Sequence, residues 1–337
     1  MVGHRSSLAG SLLEGCKREK GVNLFFSTSC GDVKSFGPEP SFTAIPRKGE
    51  PYEVKSDVIL AADGVKSIVR DQMLKLKNIS AKVIDSGQAA YRIMLRREEM
   101  ENDPELLKLI DAERATRWIG EKRHIIAYPV SNKKVYNIST AQPDVNFADA
   151  PSATYTTKGS KVEMMKVYDD FCPMLKRMLD MVPDGEVCEW KLRVHEPLES
   201  WTEDCTSLVG DACHPTLPHM AQGAAQAIED GAVLGVVLAK LPKATPEAIN
   251  KALQVYEKLR MERAYAIVEL AAANGRAMHL GEGAAKEERD KQFAAMKDGK
   301  SGASPDKWAD ADVQRIVYGE DVMKTAEERF QALFEKV

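Results

Sequence analysis

Apolar residues fall into short alternating runs through the middle of the chain and into three-to-four spacing toward its end. Alternation of period two puts side chains on opposite faces of a strand, while spacing of three and four gathers them on one face of a helix. On that basis strands are expected at Val22-Leu24-Phe26, 57–62, 90–95, 116–119, 124–130, 135–140 and 188–195. Helices are expected over 5–20, where Leu8, Leu12, Leu13 and Cys16 share a face and Gly21 suits the C-terminal cap. Others are expected around 162–182, from about 246 to 280, and from about 321 to 336. Residues 31–55, rich in Gly, Pro and Ser, predict a hairpin-like excursion, and the Gly-, Lys- and Glu-rich stretch 281–305 predicts a mobile segment.

Two segments change this picture from a list of elements into a chemistry. In residues 206–235 the apolar pair Leu208-Val209 ends in Gly210-Asp211. A proline-punctuated loop follows (His214-Pro215-Thr216-Leu217-Pro218-His219), then Gly223-Ala224-Ala225 and a helix reaching about Ala239. A helix that starts on residues with almost no side chain lets a large ligand touch backbone N–H groups and favours negative charge there. A carboxylate just past the strand can accept hydrogen bonds from a sugar hydroxyl. In residues 56–73 a buried strand, Val58 to Ala62, runs into an Asp63-Gly64 turn and a helix with Val65, Ile68, Val69 and Met73 on its apolar positions.

The run GDACHPTLPHMAQGAAQAIED resembles the second flavin-contacting motif of the FAD-dependent aromatic hydroxylases, the salicylate hydroxylase-like and 4-hydroxybenzoate hydroxylase-like flavoprotein monooxygenases. The Asp63-Gly64 element and the opening Gly3-His4-Arg5-Ser6-Ser7-Leu8 are similar to two further elements of that family. The resemblance implies that Asp211 binds the FAD ribose, that Pro218 lines the flavin ring, and that Gly223 and Ala224 face its pyrimidine side. It also implies that Arg5 reaches the FAD and that Asp63 lies near the pyrophosphate, in contact with both FAD and NAD(P)H.

The family's own opening, a strand, Gly-x-Gly-x-x-Gly turn and helix, has no counterpart in the sequence, and Gly281-Glu282-Gly283 reads as a loop. The implied fold is therefore α/β (α+β): an incomplete Rossmann-like FAD-binding domain with an inserted mixed β-sheet substrate domain and C-terminal helices. Residues 1–79 and 205–280 form its FAD-binding parts, 80–204 the substrate sheet and 281–337 a helical extension.

The implied activity is an FAD-dependent, NAD(P)H-consuming monooxygenase. It adds oxygen through a flavin C4a-hydroperoxide to an aromatic or secondary-metabolite substrate, with O2 as co-substrate. Arg92 and Tyr128, on strands of the substrate segment, are the catalytic candidates; a solvent-facing arginine and a core tyrosine are their structural alternatives. His124 reads more readily as a structural strand histidine. The His214/His219 spacing across two prolines fits no helical metal pair, so no metal is expected. Glu229-Asp230 read as capping or solvating groups, and Arg260 and Arg263 as salt-bridge partners of neighbouring elements. Two other functions stay open at this level: a catalytically inactive remnant of the flavoprotein fold, and a protein-binding scaffold.

Composition narrows the field without choosing within it. The 337 residues are 44% hydrophobic and 29% charged with net charge −4, which argues against a nucleic-acid footprint. The longest apolar stretch, 232–239, is too short to cross a bilayer. Six cysteines without regular spacing predict free thiols in a reducing, cytoplasmic setting.

Overall fold

The computed structural model describes residues 5–79, 83–145, 156–298, 302 and 304–337. In chain order it contains α1 (Arg5–Arg18), β1 (Thr28–Ser35), β2 (Ser41–Pro46), β3 (Tyr52–Lys55), β4 (Ile59–Ala61), α2 (Ile68–Leu76) and β5 (Val83–Arg96). Then come α3 (Arg97–Met100), α4 (Pro104–Asp111), β6 (Thr116–Gly120), β7 (Arg123–Val130), β8 (Val135–Pro143) and β9 (Thr156–Lys158). The elements α5 (Lys161–Val167), α6 (Pro173–Asp180), β10 (Cys188–His195), β11 (Thr202–Glu203) and β12 (Thr206–Leu208) lead to 3-10 turns at Gly210–Ala212 and Pro218–Met220. The helices α7 (Gly223–Ala239), α8 (Pro246–Met278), α9 (Ala284–Lys297), α10 (Ala311–Tyr318) and α11 (Val322–Phe334) follow.

Residues 1–24, 86–192 and 277–291 form one compact unit. Its sheet has the order β6-β7-β8-β5-β10-β9, with Arg92 opposite Ser139 and Tyr128 opposite Asn137 in antiparallel register. Period two then does its work. Tyr91, Ile93 and Leu95 on β5 pack with Ile125 and Tyr136 on one face, where Leu106 of α4 and Met178 of α6 cover them. Arg92 and Met94 point to the other face and are exposed. The strand expectations at 90–95, 116–119, 124–130, 135–140 and 188–195 all correspond to strands here.

Three expectations are corrected. The helix around 162–182 is two helices, because Cys172 takes an extended backbone ahead of Pro173, which starts α6 at the position proline favours. The alternating Val22-Leu24-Phe26 forms no strand; β1 begins at Thr28, and Phe26 is 66% exposed. The stretch expected to be mobile holds α9, whose Arg289 is buried and donates to the Ala277 carbonyl at 3.2 Å. The helix expected over 5–20 forms as α1, which carries no buried residue.

In the same unit His124 Nδ1 and His279 Nε2 lie 2.6 Å apart. Burial, with the positive charge of Arg117 adding to it, pushes the His279 imidazole down to about 4. A histidine held below its ordinary 6.5 takes its proton more readily when unfolded, so its stabilising effect is full above that pH and is lost toward 4. Stability measured by urea denaturation should fall by about 2–3 kcal/mol between pH 6.5 and 4 through this group. His279→Gln should flatten that part of the profile, and an unchanged slope would remove His279 as its source.

Residues 25–85, 193–276 and 292–337 form the second unit. Its antiparallel sheet β1-β2-β3 is the excursion expected at 31–55, with one more strand than a hairpin. A separate sheet, β11-β12-β4, sets β12 parallel to β4, with Leu208 opposite Ala61. Trp201, Leu208, Val233, Val237, Leu253 and Tyr256 build its core, and α11 packs against α7. The three-to-four spacing read in the sequence produces α8 over Pro246–Met278. These compact units divide the chain differently from the sequence segmentation: residues 1–24 group with the large sheet, and 292–337 with β4 and β12.

Candidate active site

The parallel pair β4–β12 ends where the chemistry begins. Val209 N–H donates to Ala61 O at 2.9 Å, and the chain then turns at Gly210, whose φ of +62° is left-handed. A Cβ there would stand 3.0 Å from Ala227 Cβ on α7, so glycine serves both the turn and the close approach. Gly210 O accepts from Cys213 N and His214 N, both at 3.0 Å, closing the turn that leaves Asp211 exposed. The loop passes through exposed Pro218 and returns to α7, where Gln222 at the N-cap makes no side-chain cap and the first turn holds no acidic residue.

Asp211 and Gly223, far apart in the loop, are brought together. A Cβ on Gly223 would lie 3.8 Å from Asp211 Oδ1 and 3.2 Å from Thr216 Cγ2. The corner thus offers an exposed carboxylate beside uncapped helix N–H groups fronted by Gly223 and by exposed Ala224. An acceptor for a hydroxyl and a positive helix end for anionic or electron-rich groups are what a flavin nucleotide requires, so these residues fit FAD.

Asp63 belongs to the same unit, exposed at the end of β4. Its Oδ2 accepts from Ile68 N at 2.8 Å and Val69 N at 3.3 Å, so the carboxylate caps α2. Arg70, 1% exposed, donates to Val65 O at 3.0 Å and to Ala212 O at 3.4 Å, linking the Asp63-Gly64 turn to the Asp211 turn. Sequence reading passed over Arg70, although an arginine among the apolar positions of α2 was a signal for it.

Glu229 and Asp230 are not solvating groups. Asp230 is fully buried, accepting from Arg260 Nε at 2.8 Å, and Glu229 accepts from Arg260 at 2.6 Å and from Arg263 at 2.9 Å. Arg260 and Arg263 are salt-bridge partners, as expected. His214 Nε2 lies 2.6 Å from Asp230 Oδ2, and Cys213 is packed and fully buried, its thiol pushed up by burial. Cys213, His214 and Asp230 gather closely enough to suggest ligands, but both Asp230 oxygens already accept protein hydrogen bonds.

The other compact unit holds the remaining candidates. The Arg92 guanidinium stands 5.0 Å over the Trp190 ring. The protein packed around it, then the charge of Arg5, lowers Arg92 from its ordinary range, while Cys188 and Tyr128 act in the opposite sense. Burial pushes the Tyr128 phenol up, partly offset by Arg92 and a hydrogen bond with Asn137. Arg5, exposed on α1, Arg92 and Tyr128 therefore share one electrostatic neighbourhood; Gly3 and His4 lie outside the described residues.

Residues 185–271, which include the Asp211 turn and the start of α7, match the FAD binding domain family. An FAD-dependent monooxygenase of Nectria sp is 34% identical over 255 residues, 75% of this chain. A 3-hydroxybenzoate 6-hydroxylase of Polaromonas naphthalenivorans is 30% identical over 82% of this chain and 63% of its own length. The chain spans 58% of the length of the Nectria relative and 56% of a similar FAD-dependent monooxygenase of Arthrinium sp. The solved structure of a salicylate hydroxylase substrate complex superposes with a TM-score of 0.76 at 21% identity, covering 98% of this chain and 75% of that one, and so shares its fold. Residues 185–271 thus carry the FAD binding domain, and most of the chain is similar to FAD-dependent monooxygenases and aromatic hydroxylases. Among the described residues no helix is long and apolar enough to cross a membrane, and all six cysteines are free.

Proposed function

We propose that this chain is the FAD- and substrate-binding body of an NAD(P)H-consuming monooxygenase that hydroxylates a small aromatic or polycyclic secondary metabolite with O2. The observation that carries the reading is the corner in which exposed Asp211 stands beside the uncapped start of α7 at Gly223. When bound, FAD accepts hydride equivalents from NAD(P)H and activates O2, chemistry that no amino-acid side chain supplies. The chain's part is to hold and orient. Asp211 would accept from the sugar hydroxyls, Pro218 would line the ring, and the first-turn N–H groups at Gly223 and Ala224 would favour negative charge there. Asp63 would add polar contacts to the rest of the nucleotide.

Arg92 and Tyr128 act on the substrate side. A guanidinium stacked on Trp190 favours an anionic or electron-rich ring, and the Tyr128 hydroxyl fixes its orientation. The free thiols support a reducing compartment such as the cytoplasm. The test is retention of colour: the purified chain mixed with FAD should elute yellow from gel filtration, whereas a folded chain that emerges colourless rejects the reading. Arg92→Ala should keep FAD but lower the fraction of NAD(P)H consumption that yields product by about tenfold, a loss on the scale of one charged contact. Unaltered coupling would take Arg92 off the substrate side.

A further inference from the structure

One buried carboxylate grips the Asp211 turn at both ends. Asp230 Oδ2 accepts from Gly210 N at 2.9 Å and lies 2.6 Å from His214 Nε2. Asp230 Oδ1 accepts from Arg260 Nε at 2.8 Å, which balances the charge. Gly210 precedes Asp211, and His214 follows it closely, its own N–H bonded to Gly210 O at 3.0 Å. His214 is also confined sideways, with its ring centroid 5.2 Å from that of Trp201, a fully buried residue.

The carboxylate stands on α7, two turns beyond Gly223. The same rigid helix therefore presents its N–H groups at one end and, farther along, sets where Asp211 points. Gly210 could not make this contact with a side chain, since its Cβ would meet Ala227 one turn before Asp230.

We propose that His214 and Asp230 are positioning residues for Asp211. Through the two ends of the turn they fix the Asp211 carboxylate relative to the start of α7, so that a hydroxyl-bearing flavin nucleotide meets both at once. This rests on the reading of the Asp211 corner as the FAD site. Neither side chain need touch the nucleotide. Their effect on binding passes through Asp211.

The test uses the full chain and FAD itself, titrated by flavin fluorescence. His214→Ala and Asp211→Asn should each raise the dissociation constant about tenfold or more, the scale of one misplaced or lost charged hydrogen bond. The double variant should bind no more weakly than Asp211→Asn alone, because the two changes act through one contact. Additive losses, or wild-type affinity in either single variant, overturn the proposal. A second readout on the ligand-free chain does not depend on FAD. Hydrogen exchange of the peptide spanning 207–215 should accelerate about tenfold or more in His214→Ala and in Asp230→Asn, with the 123–143 strands unaffected. Unchanged protection of that peptide overturns the positioning inference. Failure of the wild-type chain to retain FAD rejects the functional reading instead, and leaves the exchange result to decide on the turn.

Discussion

Replacing Arg260 by methionine is expected to cost about 3–5 kcal/mol of stability, the usual penalty for removing one member of a buried ion pair. Arg260 is fully buried and donates to Asp230 Oδ1, to Glu229, and to the Gln226 carbonyl and side-chain oxygens, the last at 2.8 Å. Methionine fills much of the same volume and leaves those acceptors without their partner. Asp230 suffers most. Burial works against its ionisation, and the hydrogen bond from His214 with the charges of His214 and Arg260 more than offsets it, holding the carboxyl below its ordinary 3.8. Its stabilising effect is therefore complete at neutral pH and is lost only in acid below that value. A second change distinguishes uncompensated charge from lost packing. Adding Asp230→Asn to Arg260→Met should destabilise by less than the sum of the two single effects, since the charge left unpaired by the first is removed by the second. Chemical denaturation of the single and double variants measures this; strict additivity would mean that the pair is packing and not charge.

That network also marks where sequence reading stops. The Arg260/Arg263 spacing on one helical face was legible, and so was their use in salt bridges. Glu229 and Asp230 looked like surface groups because their partners lie on another helix, and a period along one element carries no information about the next. The strands of the large sheet were legible for the opposite reason. On β5 one face packs Tyr91, Ile93 and Leu95 into the core while Arg92 and Met94 are exposed, so burial imprints period two directly on the residues.

Where that coupling failed, so did the pattern. Val22, Leu24 and Phe26 alternate but remain exposed, at 44%, 39% and 66%. Apolar spacing ran unbroken from 162 to 182 although α5 stops at Val167 and Pro173 begins a second helix. Lys/Glu-rich composition hid α9, whose order comes in part from Arg289 bonding a carbonyl outside its own helix. At the site, the Asp211 turn, the small-residue helix start and the Asp63 element could be read from local order. Arg70 was marked only by its place among the apolar positions of α2; its partner could not be read, because Ala212 is remote in sequence.

Asp211→Ala should lower FAD affinity about ten- to a hundredfold, equivalent to about 1.5–3 kcal/mol for a hydrogen bond to a charged acceptor. Stability should change little, since Asp211 is exposed and exposed positions tolerate truncation. The two outcomes together are diagnostic. A structural carboxylate would behave the other way, as Asp230 does, with a large loss of stability on which any change in FAD binding depends. Gly223→Val supplies the complementary probe from the helix side. Its Cβ would come within 3.2 Å of Thr216 Cγ2 and fill the space between the helix start and Asp211. It should weaken FAD while leaving the Asp211 charge in place. If the corner holds the flavin nucleotide, both substitutions reduce affinity and neither abolishes folding. If Asp211→Ala binds FAD as tightly as the wild-type chain, the carboxylate is not a ligand, and the small residues at the start of α7 serve only the close packing of the Gly210 turn on that helix.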